Sequence, residues 1–256
     1  MSVADDLLAS GDLDGARRAL VEAVRRDPGH VPTRQFLWQL LAVQGDWDKA
    51  KAQLTTLAQL SPEAQMLAVV YGQAIDAERE REAVFTGSSE ASVHGGSLWM
   101  RGLADALKMH ATGGSAEATA LRDAALDGAP DTPGEVDGAA FEWITDADAR
   151  FGPCLEAIIG GRYGLLAFDA IETLVSEGPK DLRDIVWYPV EITLKAGPRV
   201  AALLPARYPG IADDPTERMA RATGWRDDNT GSGQHMLALS DGEERGLLSI
   251  RSLTFR

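Results

Sequence analysis

The residues in this chain best suited to chemistry are carboxylates. Asp146, Asp148, Asp169, Glu172, Asp181 and Asp184 fall in one stretch, with Arg150, Arg162 and Arg183 among them. Two such acids brought together, one desolvated enough to keep its proton near neutral pH, perform general acid and base work of the kind a hydrolase needs. Aspartates beside Gly and Pro more commonly form turns, cap helices and pair with arginine, and that reading stands next to the catalytic one.

Other chemistries find less support. His30, His94, His110 and His235 have no ligand-like spacing and Cys154 has no cysteine neighbour, so no metal site is expected. Cys154 follows Pro153 at an expected helix start, where a thiol usually packs rather than attacks. The phosphate-binding and nucleophile-elbow glycine patterns do not occur. His94-Gly95-Gly96-Ser97 and Thr112-Gly113-Gly114-Ser115 read as flexible turns, so no cofactor is expected. Trp38, Trp47, Trp99, Trp143, Trp187 and Trp225 read as packing residues, because an acidic chain gives stacked bases no electrostatic support.

The elements that must position the acids are mixed. Pro153 suits a first helical turn, Leu155, Ile158 and Ile159 share a helical face, and Gly160-Gly161 would stop it, so a helix is predicted over 153–159. Tyr163 to Phe168 reads as a buried strand. Val186, Tyr188, Val190, Ile192 and Leu194 alternate with more polar residues as a second strand, placed at an edge or bulge by Pro189. A third apolar run spans 200–204, a short helix capped by Asp214 spans 215–222, and strands follow at 235–239 and 246–255.

The first half carries a repeat. GDLDGARRALVEAVRRDPGH, from Gly11, recurs as GDWDKAKAQLTTLAQLSPEA, from Gly45, an offset of 34 residues, which is the tetratricopeptide period. Ala16 then matches Ala50, Leu20 matches Leu54, and Pro28 matches Pro62. First helices are expected over 32–43 and 63–82, a loop over 84–97, and capping helices over 98–110 and 115–126. The fold class is therefore α+β: a tetratricopeptide-like helical domain, 1–130, then a mixed domain with a curved sheet or small barrel, 131–256. Stacked helix pairs leave a hollow lined by first-helix residues. The repeat register places Gln35, Gln39, Ala42, Met66, Val69, Gln73 and Asp76 there, as a seat for a peptide or helix. The alternative is that the repeats only support the second domain.

Totals bound the partners. The 256 residues are 45% hydrophobic, with a formal charge of −14 and a pI near 4.7, which disfavours nucleic acid and anionic membranes. One cysteine excludes an internal disulfide. The N-terminal MSVADDLLAS lacks the pattern of an export signal, and no apolar run reaches the roughly 18 residues of a membrane span, so a cytoplasmic protein is expected.

Five segments carry a family likeness: Asp-Ala-Asp-Ala-Arg-Phe-Gly-Pro at 146–153, Gly-Arg-Tyr at 161–163, Asp-Leu-Arg-Asp at 181–184, Val-Trp-Tyr-Pro at 186–189 and Pro-Ala-Arg-Tyr-Pro-Gly at 205–210. With them the chain resembles the ImpE/SciE family, also called TagJ, of type VI secretion accessory proteins. The resemblance implies a helical-repeat domain followed by an α+β domain, and a non-enzymatic adaptor. Its partners would be a helix of the small contractile-sheath subunit (TssB-like) and, through it, the ClpV-type ATPase that recycles the sheath. Trp187, Tyr188, Arg207 and Tyr208 match family motifs; they read either as a partner surface or as an aromatic lid held by rigid proline turns. The rival functions are a hydrolase using the Asp146 to Asp184 acids and a repeat scaffold unrelated to secretion.

Overall fold

A computed structural model describes residues 2–226 and 228–256. Among the described residues seven helices lie in the first half: α1 (Val3–Ala9), α2 (Leu13–Arg26), α3 (Val31–Val43), α4 (Trp47–Leu60), α5 (Glu63–Phe85), α6 (Leu98–Ala111) and α7 (Ser115–Asp127), with the one-turn α8 (Pro215–Arg218) much later. The 34-residue echo is visible in the backbone. Gly11 and Gly45 take φ of +85° and +71°, and the next residue's N–H returns to Leu7 and Leu41, so the α1–α2 and α3–α4 turns close alike. Ala16 and Ala50 lie fully buried where the paired helices touch. Asp12 caps α2 by accepting from the Gly15 N–H at 2.7 Å. Helix α5 runs through to Phe85, so the third repeat has a long first helix and no matching second one.

Among the described residues there are fourteen strands: β1 (Val93–His94), β2 (Gly134–Val136), β3 (Ala139–Phe141), β4 (Ile144–Asp146), β5 (Cys154–Ile159), β6 (Arg162–Ala167), β7 (Ile171–Val175), β8 (Trp187–Leu194), β9 (Arg199–Pro205), β10 (Thr223–Trp225), β11 (Gly231–Gly233), β12 (Met236–Leu239), β13 (Glu244–Gly246) and β14 (Ser252–Phe255). The main sheet runs β1-β6-β5-β9-β8-β7-β14-β2-β3, beside a hairpin of β10 with β11 and a small sheet of β13-β12-β4. This is the expected α+β arrangement with a curved, open sheet.

Four expectations need correction. The helix over 153–159 is strand β5, paired with β6 in a hairpin whose two-residue turn is Gly160-Gly161, at φ +58° and +78°. That turn needs glycine for the same reason a helix stop does, which is why the local signals misled. In the strand, Cys154 and Ile158 face the helices while Leu155 and Ala157 face the second core, so both faces are apolar and no alternation shows. The loop over 84–97 contains β1, which pairs parallel with β6 and stitches the helical half to the sheet. The last strand is two, since β13 and β14 belong to different sheets on either side of a 3-10 turn at Leu247–Ser249. Finally, β8 is interior. Its ladder with β7 ends at the Val175–Glu191 pair, so Pro189 lies past it and needs no donor; its carbonyl accepts from Ser176 Oγ at 2.8 Å.

One core lies between the helices and the near face of the sheet, the other beneath the far face. Trp187 and Tyr188, adjacent on β8, point one into each. Trp187 meets Tyr71 of α5 at 5.7 Å and Trp47 of α4 at 5.8 Å, and Tyr71 in turn meets Trp38 of α3 at 5.3 Å, an aromatic chain running from repeats to sheet.

Candidate functional site

Where α5 crosses β5, the interface between helices and sheet is ionic. Arg81 grips Glu156 of β5 with two parallel bonds, Nε to Oε1 at 2.8 Å and Nη2 to Oε2 at 2.6 Å. It also reaches Glu78, one helical turn before it, at 3.3 Å and the Arg207 carbonyl at 2.7 Å. His235 lies between two carboxylates, with Nε2 at 2.9 Å from Glu156 and Nδ1 at 2.7 Å from Asp146. Three side chains complete the set: Tyr163 O–H donates to Glu156 at 2.7 Å, Tyr208 O–H to Asp146 at 2.9 Å, and the Trp187 indole N–H to Glu78 at 3.0 Å. Asp148 accepts from the Gly231 N–H at 2.6 Å and pairs with Arg150 at 2.6 Å.

Burial alone would drive the His235 proton off, but the carboxylates of Asp146 and Glu156 outweigh it and push the pKa up to about 9. Burial would likewise raise Glu156, yet Arg81 and His235 hold it well below the usual carboxylate range. For Asp146 burial wins and its pKa rises, with His235 pulling the other way. Arg81 is held charged by Glu156 and Glu78 against the cost of burial. Each carboxylate oxygen of Asp146 and Glu156 is engaged, and so are both imidazole nitrogens. The network therefore holds charge in place.

The acids read as a possible hydrolase centre separate into distinct places. Asp146 and Asp148 join the network. Asp169 accepts from Ser97 Oγ at 2.9 Å and the Trp99 indole at 3.2 Å, tying the start of α6 to the sheet. Asp181 and Asp184 form a capping box around the 3-10 turn Leu182–Ile185, with Arg183 between them stacked on Tyr71 at 4.9 Å. Glu172 and Arg162 are exposed. Cys154 begins β5 instead of a helix, and burial raises its thiol pKa well above the ordinary value, which leaves it a packing group.

The residues expected to line a hollow, and those read as a partner surface or an aromatic lid, are divided. Gln39, Ala42, Trp187, Tyr188 and Tyr208 are buried inside the chain. The Arg183 N–H donates to Gln39 Oε1 at 3.2 Å, and Arg207 Nη1 donates to the carbonyls of Val43 and Arg218 at 2.8 and 2.7 Å. The inner side of the repeats is thus occupied by the chain's own 182–187 and 207–208 segments. Gln35 is half-buried, and Asp76 pairs with Lys51 at 2.5 Å. Gln73 is exposed beside the Gly160-Gly161 hairpin, while Met66 and Val69 stand out on α5, 71% and 55% exposed.

Glu78, Arg81 and Glu156 were not among the residues singled out from the sequence. A signal existed: Glu156 is the lone charge inside the apolar run Cys154–Ile159, and a charge so placed requires a buried partner. Nothing local named Arg81, 75 positions away, as that partner.

Beside the network a cleft of about 290 Å³ opens between α5 and the 207–211 turn, walled by Trp47, Phe85 and Ile211 and lined also by the exposed Arg226.

Comparison with known proteins fits this arrangement. Residues 7–70 match a tetratricopeptide repeat family, and residues 138–254 match the family described as ImpE protein. The chain is 41% identical over 256 residues, 99% of its own length and 91% of the relative's, to the type VI secretion system accessory component TagJ of Pseudomonas aeruginosa. The chain belongs to the ImpE (TagJ) family. The crystal structure of protein VPA1032 from Vibrio parahaemolyticus shares the fold of this ImpE-family chain, with a TM-score of 0.90 over 100% of this chain and 98% of that one, at 20% identity. The ion network therefore belongs to an ImpE-type sheet half braced against tetratricopeptide helices.

Proposed function

We propose that this ImpE-family chain is a non-catalytic adaptor of a bacterial type VI secretion system, binding a helix of the small contractile-sheath subunit (TssB-like) and so linked to sheath recycling by the ClpV-type ATPase. The relative of matching length, named for an accessory role in that system, supports the setting. The carrying observation is the outer face of α5, where Met66, Val69 and Val70 project into solvent at helical spacing with Leu60 of α4 close in sequence. Apolar residues in that pattern suit the anchors of an amphipathic helix. Because the inner hollow is filled by the chain itself, Met66, Val69 and Gln73 carry this reading, while Gln39, Ala42, Trp187, Tyr188 and Tyr208 serve the fold. Residues 1–130 act as the docking half and residues 131–256 brace it. A cytoplasmic setting belongs to the same proposal, since the single cysteine is a buried free thiol.

Calorimetric titration with a peptide of the sheath subunit's N-terminal helix tests it. Saturable binding is expected, with Met66→Asp/Val69→Asp weakening it roughly tenfold or more while leaving the melting temperature unchanged. Absence of heat at high micromolar peptide would sink the adaptor reading; unaltered binding by the double variant would remove α5 as its surface.

A further inference from the structure

The cleft beside the ion network holds an arginine with an unused edge. Arg207 spends Nη1 on two backbone carbonyls, Val43 and Arg218, and among the described residues no acceptor meets its Nε or Nη2. Those two atoms form the side-on edge that binds a carboxylate by two parallel bonds. The other cations differ. Arg81 and Arg150 also reach the cleft, but each is committed to a carboxylate, Glu156 and Asp148 respectively. Arg226, an exposed lining residue, has no partner for its guanidinium among the described residues. In a chain of charge −14, the cleft is lined by four arginines, Arg81, Arg150, Arg207 and Arg226, against two glutamates, Glu78 and Glu82. Burial lowers the Arg207 pKa to about 10, with Glu78 offsetting only part of that cost; a bound anion would offset more.

We propose that this cleft receives one carboxylate of a protein partner, an acidic side chain gripped side-on by Arg207 and steered by Arg226, with the neighbouring apolar residue packed against Trp47, Phe85 and Ile211. The inference rests on the adaptor reading only for the source of that carboxylate. A monoanion fits better than a phosphate, because Glu78 and Glu82 share the lining and would repel a second negative charge. The volume, about 290 Å³, suits a short stretch of peptide rather than a folded surface.

The test is an NMR titration of the full chain with N-acetyl-Glu-Leu-amide, followed at the Trp47 indole N–H and the Arg207 backbone N–H. Saturable shifts at both are expected, with the Gln-Leu counterpart binding roughly tenfold more weakly. Arg226→Gln should weaken the Glu peptide severalfold. Arg207→Lys should abolish binding, since an ammonium has no side-on pair to offer. Because Arg207 also holds two carbonyls, the rim variant Arg226→Gln decides the matter if Arg207→Lys fails to fold. The proposal falls if neither probe N–H shifts, if the Gln peptide binds equally, if Arg226→Gln binds like wild type, or if inorganic phosphate binds more tightly. Failure here with a sheath helix still bound leaves the adaptor reading intact; binding of the dipeptide without the helix reverses that outcome.

Discussion

His235 should make this fold sensitive to mild alkali. Its imidazole is buried between Asp146 and Glu156, and its pKa rises from 6.5 to about 9. A folded-state pKa above the unfolded one means that the native state binds the extra proton, so the stabilisation is complete below pH 6.5 and is lost as pH rises through about 9. The full difference corresponds to about 3.5 kcal/mol, since each pKa unit is worth about 1.4 kcal/mol, and about 3 kcal/mol of it falls between pH 6.5 and 9. Among the other perturbed groups, burial raises the Cys154 thiol, and Arg207 titrates near 10, above that window. Urea unfolding at half-unit steps from pH 6.5 to 9 measures it. Wild type should lose about 3 kcal/mol across the series, with a slope approaching 1.4 kcal/mol per pH unit for one proton. His235→Gln should begin about 3 to 5 kcal/mol lower, because buried Asp146 then faces Glu156 with no cation between them, and its stability should be flat over the same range. Adding Asp146→Asn should recover part of the loss. A flat wild-type profile, or a variant that retains the slope, would refute the assignment of a charged His235 held between these two carboxylates.

Two further outcomes follow from the same interface and its hairpin. Arg81→Met strands Glu156 and Glu78 as buried carboxylates and should cost about 3 to 5 kcal/mol, with faster proteolytic cutting in the 86–92 segment as the halves part; unchanged stability in urea would contradict the ion network's role. Gly161→Ala places a Cβ on a residue with φ of +78° and 3.0 Å from the Gln73 side chain, and should lower stability by about 1 to 2 kcal/mol by thermal melting. Gln73→Ala in the same chain should relieve little of it, because the backbone conformation carries most of the strain.

Much of the helical half was legible because its signals are local. The offset from Gly11 to Gly45, the apolar spacing of α2 and α4, and Asp12 ahead of a helical run each act within a few residues, and the structure places them as read. Strand β8 was legible for the same reason, since Tyr188, Val190 and Ile192 alternate against partly exposed neighbours. Strand β5 was not: both its faces are buried, so the period of two disappears, and its closing glycines serve hairpin and helix end alike.

The candidate site divides along the same line. Sequence placed Asp146, Asp148, Arg207 and Tyr208 among the residues of interest, because proline and glycine turns mark them locally. The meeting of Arg81, Glu156 and His235 depends on contacts across 75 and 79 positions, which no window along the chain contains. Sequence by itself determined the repeat period, the acidic balance, the lone thiol and the sheet-rich second half. Only the tertiary structure decided that the hollow of the repeats is filled from within and that, among the described residues, one arginine edge is left unmatched. Burying a charge is tolerable only where another element supplies its partner, and which element arrives there is a property of the folded chain.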